Sequence, residues 1–209
     1  MKVNEIFYSI QGEGAWSGLP NVFIRTTGCN LRCSFCDTKY AYSKGKEMSV
    51  NEIIEKISNY PCKHICITGG EPLLQEDIID LINRLSKKGF KISIETNGSL
   101  SIEKIKDKNS LMISLDIKCP SSKMNDNNYF ENINFLKKDD QLKFVVKNKK
   151  DYNYAKKILE KYKPKCSVFF QPVWGENPKK LTNWIINDGL NVKIGLQLHK
   201  IIWGNKKKV

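Results

Sequence analysis

Arginine is scarce in this chain of 209 residues: among 35 basic residues only Arg25, Arg32 and Arg84 carry a guanidinium. Base and phosphate recognition favours that planar fork. The formal net charge of +13 is therefore set by lysine and reads as a bias of solvated surfaces, with no nucleic acid expected as partner. Long apolar runs are missing too. None approaches the ~18–20 residues that a membrane helix needs, and Asn4 and Glu5 stand where a signal peptide would have its apolar stretch. A cytoplasmic protein without a membrane partner is expected. An even cysteine count is also lacking. Seven cysteines in a reducing compartment do not suggest a disulfide framework, so their spacing is read for metal or catalytic use. Low-complexity linkers, repeats and composition breaks are absent, and residues 1–209 are expected to form one domain with a sizeable core.

What is present is an alternation. Short β-branched or aromatic runs occur at 22–26, 64–68, 91–95, 111–117, 141–146, 167–171 and 192–198, at the interval of βα units. Helical patterns lie between them at 49–59, 74–87 and 151–161; the first opens with Ser49 and Glu52 at capping-box spacing. This predicts an α/β fold with a parallel sheet, doubly wound or a full or partial barrel. In either, chemistry collects at the carboxyl ends of the strands. Those ends carry Thr26-Thr27-Gly28-Cys29, Thr68-Gly69-Gly70-Glu71, Glu95-Thr96-Asn97-Gly98, Asp116-Ile117-Lys118, Lys147, Gln171-Pro172 and Gln197-Leu198-His199.

The sharpest feature is Cys29, Cys33 and Cys36, a C-x3-C-x2-C run on the loop leaving a strand. Three thiolates this close bind a soft or borderline metal. A closed zinc site would need a fourth ligand from Cys62, His64, Cys66, Cys119 or Cys166, of which Cys66 falls inside a strand and reads as core. The other reading is a [4Fe-4S] cluster on three thiolates, leaving one iron open for a ligand.

With Phe35 before the last cysteine, this spacing resembles the radical S-adenosylmethionine (SAM) enzymes, and Thr68-Gly69-Gly70-Glu71-Pro72 resembles that superfamily's G-G-E-P stretch. The resemblance implies a partial (βα)6 barrel, a [4Fe-4S] cluster, and SAM chelated at the open iron and cleaved to a 5′-deoxyadenosyl radical. It also implies that Gly69 and Gly70 let backbone approach the SAM amino group, with the Glu71 carboxylate near its charge.

Upstream, Ile10-Gln11-Gly12-Glu13-Gly14 and Arg25 crowd hydrogen-bonding groups and both charge signs ahead of the cysteines, which a bland strand and turn do not require. With Cys36-Asp37-Thr38, this segment resembles the 7-carboxy-7-deazaguanine synthases over essentially the whole chain. That family converts 6-carboxy-5,6,7,8-tetrahydropterin to 7-carboxy-7-deazaguanine with loss of ammonia, on the route to queuosine, using SAM catalytically and Mg²⁺ as an aid. By this resemblance the Ile10–Gly12 segment and Thr68 touch substrate, Glu13 accepts from the guanidine-like edge of the pterin, and Arg25 forks its carboxylate. Phe35, Asp37, Asp116, Lys118, Gln171 and Pro172 contact SAM. Thr38 holds Mg²⁺ or else caps the following segment. His199 stands near substrate or is structural, and Val209 closes the pocket if the tail reaches it. Asp116-Ile117-Lys118 departs from the Ser-Pro-Lys of many members. A flavodoxin-like electron donor and a homodimer are expected by the same resemblance. Two alternatives remain at this point: a glycyl-radical-enzyme activase of the same superfamily, and a zinc-binding nucleic-acid module.

Overall fold

The structure is a computed structural model and describes residues 1–206 and 208. In chain order the elements are β1 (Lys2–Ile10), β2 (Pro20–Thr26), β3 (Lys46–Glu47), α1 (Val50–Ser58), β4 (His64–Gly69), α2 (Ile78–Lys87), β5 (Lys91–Thr96) and β6 (Leu111–Ile117). Then follow α3 (Asn132–Phe135), β7 (Gln141–Val146), α4 (Lys149–Tyr162), β8 (Ser167–Pro172), α5 (Pro178–Asn187), β9 (Lys193–Ile194) and α6 (Leu198–Trp203).

One sheet takes the order β3-β1-β2-β4-β5-β6-β7-β8-β9. From β2 to β9 every pairing is parallel, whereas β1 joins β2 and β3 antiparallel. Among the described residues the sheet ends at β3 and β9 without joining them, the partial barrel that the superfamily resemblance implies and one of the forms that the alternation of strands and helices allows.

Strand side chains divide by a period of two. On β4 to β7, Ile65, Ile67, Ile92, Ile94, Ile113, Leu115, Leu142 and Phe144 all enter the hydrophobic core beneath the helices. Burying one such side chain contributes roughly 1.5–3 kcal/mol. The alternate positions, Cys66, Thr68, Glu95, Asp116 and Lys143, face the interior cavity instead. Helix α1 starts where Ser49 and Glu52 cap each other's backbone amides, and its buried Ile53, Ile54 and Ile57 pack on the sheet.

Two boundaries differ from the sequence reading. Residues 72–74 form a separate turn led by Pro72, and α2 begins only at Ile78. The run at 192–198 yields just two strand residues, because Gly195 leaves the ladder after its N–H donates to Phe170 O at 2.8 Å. His199 therefore lies on the first turn of α6 and not beyond a strand.

Candidate functional site

A cavity of about 560 Å³ occupies the sheet interior at the carboxyl ends of the parallel strands. Its first wall is the loop after β2. Cys29, Cys33 and Cys36 are free, half-buried and all line the cavity. The loop is anchored from several sides: Gly28 N–H donates to Ala41 O (2.9 Å), Ser34 N–H to Ser122 O (3.0 Å), and Leu31 is buried. Arg32 caps the carbonyls of Cys29 and Leu31, both at 2.8 Å, and its guanidinium lies 4.4 Å from the Tyr42 ring centre. Burial pushes the Cys33 thiol above its ordinary pKa.

The turn after β4 presses on this loop. A side chain at Gly70 would put its Cβ 2.0 Å from Gly28 O, and Gly69 has φ +147°, so both positions need glycine. Glu71 departs from its expected role. Its carboxylate has no exposure and accepts from Leu73 N (3.0 Å), Thr96 Oγ1 (2.9 Å) and Asn97 N (2.7 Å). It ties the loops after β4 and β5 together and does not line the cavity, so it is not available to an ammonium group there.

The second wall carries charge. Lys118 Nζ meets Asp116 Oδ2 at 2.8 Å; burial acts to lower the ammonium pKa, but Asp116 and the nearby Cys33 together overcome it and the net direction is up. Among the described residues, Asp116 Oδ1 and Gln171 Oε1 are buried acceptors without a hydrogen-bond partner, set on the cavity wall where a ligand donor would satisfy them. Lys143 projects from β7 between Glu13 (2.9 Å) and Glu95 (3.4 Å). Burial acts to raise Glu13, but the Lys143 charge and hydrogen bond overcome it and hold its pKa below the ordinary value. Glu95 is raised by its burial.

The third wall holds the N-terminal motif against α6. Gln11 donates to Cys66 Sγ at 3.4 Å and accepts from Glu13 N. Gln197 donates to Glu13 Oε1 at 2.8 Å, and Leu198 N–H to Gly12 O at 2.9 Å. His199 backs onto Gly12 and is held below its ordinary pKa by burial. Arg25 is fixed by Glu5 (Nε to Oε1, 2.7 Å), with the Phe7 and Tyr40 ring centres each 5.8 Å from its guanidinium carbon. Asp37 pairs with Lys200 at 2.6 Å, and against its burial this pairing lowers its pKa to about 2. The Thr38 hydroxyl donates to Asp37 Oδ1 (2.8 Å) and makes no capping bond, so the cap role is not what the structure uses.

Ile10, Phe35, Thr68 and Pro172 complete the cavity lining among the sequence candidates; Val209 lies outside the described residues. Lys143, Lys200 and Trp174 also line it and escape the sequence reading; Glu95 and Asn97 line it too, at a strand end to which the sequence assigns no particular role. Glu95 and Lys143 had a signal, a charge inside an apolar strand pattern at the inward phase.

No three His, Cys, Asp or Glu side chains converge on a point that would hold a single metal ion, among the described residues. Cys66, Cys119 and Cys166 are buried within the fold. Three partly exposed thiols beside one cavity suit a cluster, whose thiolates bind separate irons and stand apart; a closed zinc site lacks its fourth ligand.

Residues 23–173 match the Radical SAM superfamily. The chain belongs to that superfamily, with the [4Fe-4S] cluster and SAM that define it. It is 38% identical over 205 residues to the 7-carboxy-7-deazaguanine synthase of Thermoplasma acidophilum, covering 98% of both chains. It is 41% identical to that of Methanospirillum hungatei (97% of this chain, 85% of that one) and 40% to that of Clostridium acetobutylicum (99% and 98%). Within the superfamily the chain is a member of the 7-carboxy-7-deazaguanine synthase family. The crystal structure of QueE from Escherichia coli shares the fold, with a TM-score of 0.78 at 24% identity over 95% of this chain and 94% of that one.

Proposed function

We infer that the chain converts 6-carboxy-5,6,7,8-tetrahydropterin to 7-carboxy-7-deazaguanine with loss of ammonia, in 7-deazapurine (queuosine) biosynthesis. The observation that carries this reading is one cavity lined both by the three loop thiols and by the Glu13 and Arg25 pair of the N-terminal motif, in a chain at 38–41% identity to synthases of that name. The activase alternative has no use for that pair, and the zinc module has no closed site.

Cys29, Cys33 and Cys36 are the residues to hold the cluster. Bound together, the cluster and SAM supply one-electron cleavage chemistry and hydrogen abstraction. The protein's part is positioning and charge. Gly69 and Gly70 offer close backbone; Phe35, Asp37, Asp116, Lys118, Gln171 and Pro172 are the SAM side of the cavity, where the free acceptors on Asp116 and Gln171 suit hydroxyl or amino donors. Glu13, kept ionised by Lys143, suits the donor edge of the pterin, and the Arg25 Nη groups remain for a carboxylate because Glu5 occupies Nε. Ile10, Gln11, Gly12, Thr68 and His199 shape that pole. Thr38 offers a hydroxyl to Mg²⁺, which keeps waters and takes further oxygens from substrate.

No helix is long and apolar enough to cross a membrane among the described residues. We expect a cytoplasmic enzyme of one domain. The +13 charge suits an acidic, flavodoxin-like electron donor; with so few arginines we expect no nucleic-acid partner, and we expect a homodimer. The test is anaerobic reconstitution of the cluster, then SAM, reductant, Mg²⁺ and the pterin, with 7-carboxy-7-deazaguanine sought by mass spectrometry. Product is expected; no product from protein with a full cluster and competent reductant overturns the assignment.

A further inference from the structure

We infer that Asn97 is a positioning residue of the iron-sulfur centre, its side-chain amide donating to the sulfur of Cys29 and holding the reduction potential of the cluster up. This rests on the reading of Cys29 as a cluster ligand. Asn97 Nδ2 stands 3.7 Å from Cys29 Sγ and 3.1 Å from Asn30 Oδ1 in the same loop. The direction of the amide is fixed: Ser99 donates to Asn97 Oδ1 through both its N–H (3.0 Å) and its hydroxyl (2.6 Å), so the NH₂ end must face the cysteine loop. Asn30 Nδ2 in turn donates to Ser99 Oγ at 2.8 Å, closing a ring of three side chains. The backbone of Asn97 is pinned as well, since its N–H donates to the sealed carboxylate of Glu71.

A second donor, Leu31 N–H, reaches the same sulfur at 3.4 Å. Hydrogen bonds to the sulfurs tune a cluster because reduction adds negative charge, which a donor dipole stabilises. Glu71, sealed away from the cavity, thereby acts on the cluster through Asn97.

The test is an EPR-monitored redox titration of the anaerobically reconstituted full chain against Asn97→Leu and Ser99→Ala, with iron and sulfide content measured on each. Asn97→Leu should keep its cluster and titrate at a more negative potential. Ser99→Ala, which frees the amide to turn, should shift in the same direction by less. Pulsed EPR of the reduced, ¹⁵N-labelled protein should show a nitrogen coupling lost in Asn97→Leu. Unchanged potentials in cluster-loaded variants overturn the inference. If Asn97→Leu does not load, an unchanged Ser99→Ala potential alone overturns it. A wild-type chain that binds no cluster refutes the underlying ligand assignment instead.

Discussion

Lys143 Nζ lies 2.9 Å from Glu13 Oε2, joining strand β7 to the N-terminal motif across 130 positions of sequence. Its other neighbour is Glu95, so one ammonium offsets two buried carboxylates. The ring continues: Glu95 accepts from Ser114, Ser114 from Gln141, and Gln141 accepts from Ala15 N–H, two residues beyond Glu13. The loop that carries Glu13 is thus latched at both ends of one polar chain.

Lys143→Met should cost roughly 3–5 kcal/mol at neutral pH, because it leaves two carboxylates buried without a counter-charge. The pH dependence has a definite sign. In the native protein the Glu13 pKa is lowered, so its contribution is present above its unfolded value and lost only as pH falls through the lower folded one. Without Lys143, burial outweighs the remaining Gln197 hydrogen bond and raises Glu13. The variant's deficit should therefore be smaller at pH 5 than at pH 8 in urea unfolding; an equal deficit at both would refute the pairing.

Glu71→Gln separates two roles for one carboxylate. Three donors converge on Glu71, and whichever way a glutamine amide turns, its NH₂ opposes at least one of them. A loss of about 1–3 kcal/mol is expected, visible in cluster-free protein without SAM. Unchanged stability of the cluster-free variant, with weakened SAM binding alone, would return Glu71 to the SAM site.

How far the sequence could be read follows from the range of the interactions. The strands from 64 to 146 and the capping box at Ser49 are local patterns, and they appear with boundaries within a residue or two. The cysteine loop and the Gly-Gly turn are contiguous motifs and were legible for the same reason. The buried place of Glu71 is not legible in the sequence because two of its partners, Thr96 and Asn97, are set by the next strand. Lys143 and Lys200 are not legible because their nearest acids, Glu13 and Asp37, lie more than a hundred residues away in sequence. Residues 192–198 looked like a strand, but the chain turns at Gly195 to bring α6 over the cavity, a tertiary choice that β-propensity does not encode.

Lys200→Met tests how α6 is fastened. Lys200 is the main counter-charge holding the Asp37 pKa at about 2, and Asp37 is half exposed, so the pair contributes only about 0.2–1 kcal/mol. The change is better read by titration. In the variant the Asp37 carboxyl should titrate higher, toward the ordinary ~3.9, as followed by carbon NMR. Because the native value is depressed, the small stabilisation is present above the unfolded pKa and disappears as pH falls through about 2. An unmoved Asp37 titration would mean that the two side chains do not pair in solution.

Gly12 and His199 fit closely in the cavity wall, and a double-mutant cycle reads that fit. A Cβ on Gly12 would stand 1.9 Å from His199 Nδ1 and 2.7 Å from its Cγ, so Gly12→Ala forces the imidazole or the whole of α6 away. Overpacking of this kind costs about 1–3 kcal/mol. The cluster loop is a separate wall, so iron content should stay at the wild-type level while KM for the pterin rises by about tenfold, equivalent to ~1.4 kcal/mol of binding. Truncating the histidine removes the obstacle. Gly12→Ala should then cost less than half as much in a His199→Ala background, a coupling that independent sites do not show. Additive costs would mean that α6 does not pack on Gly12, and would remove His199 from the substrate pole.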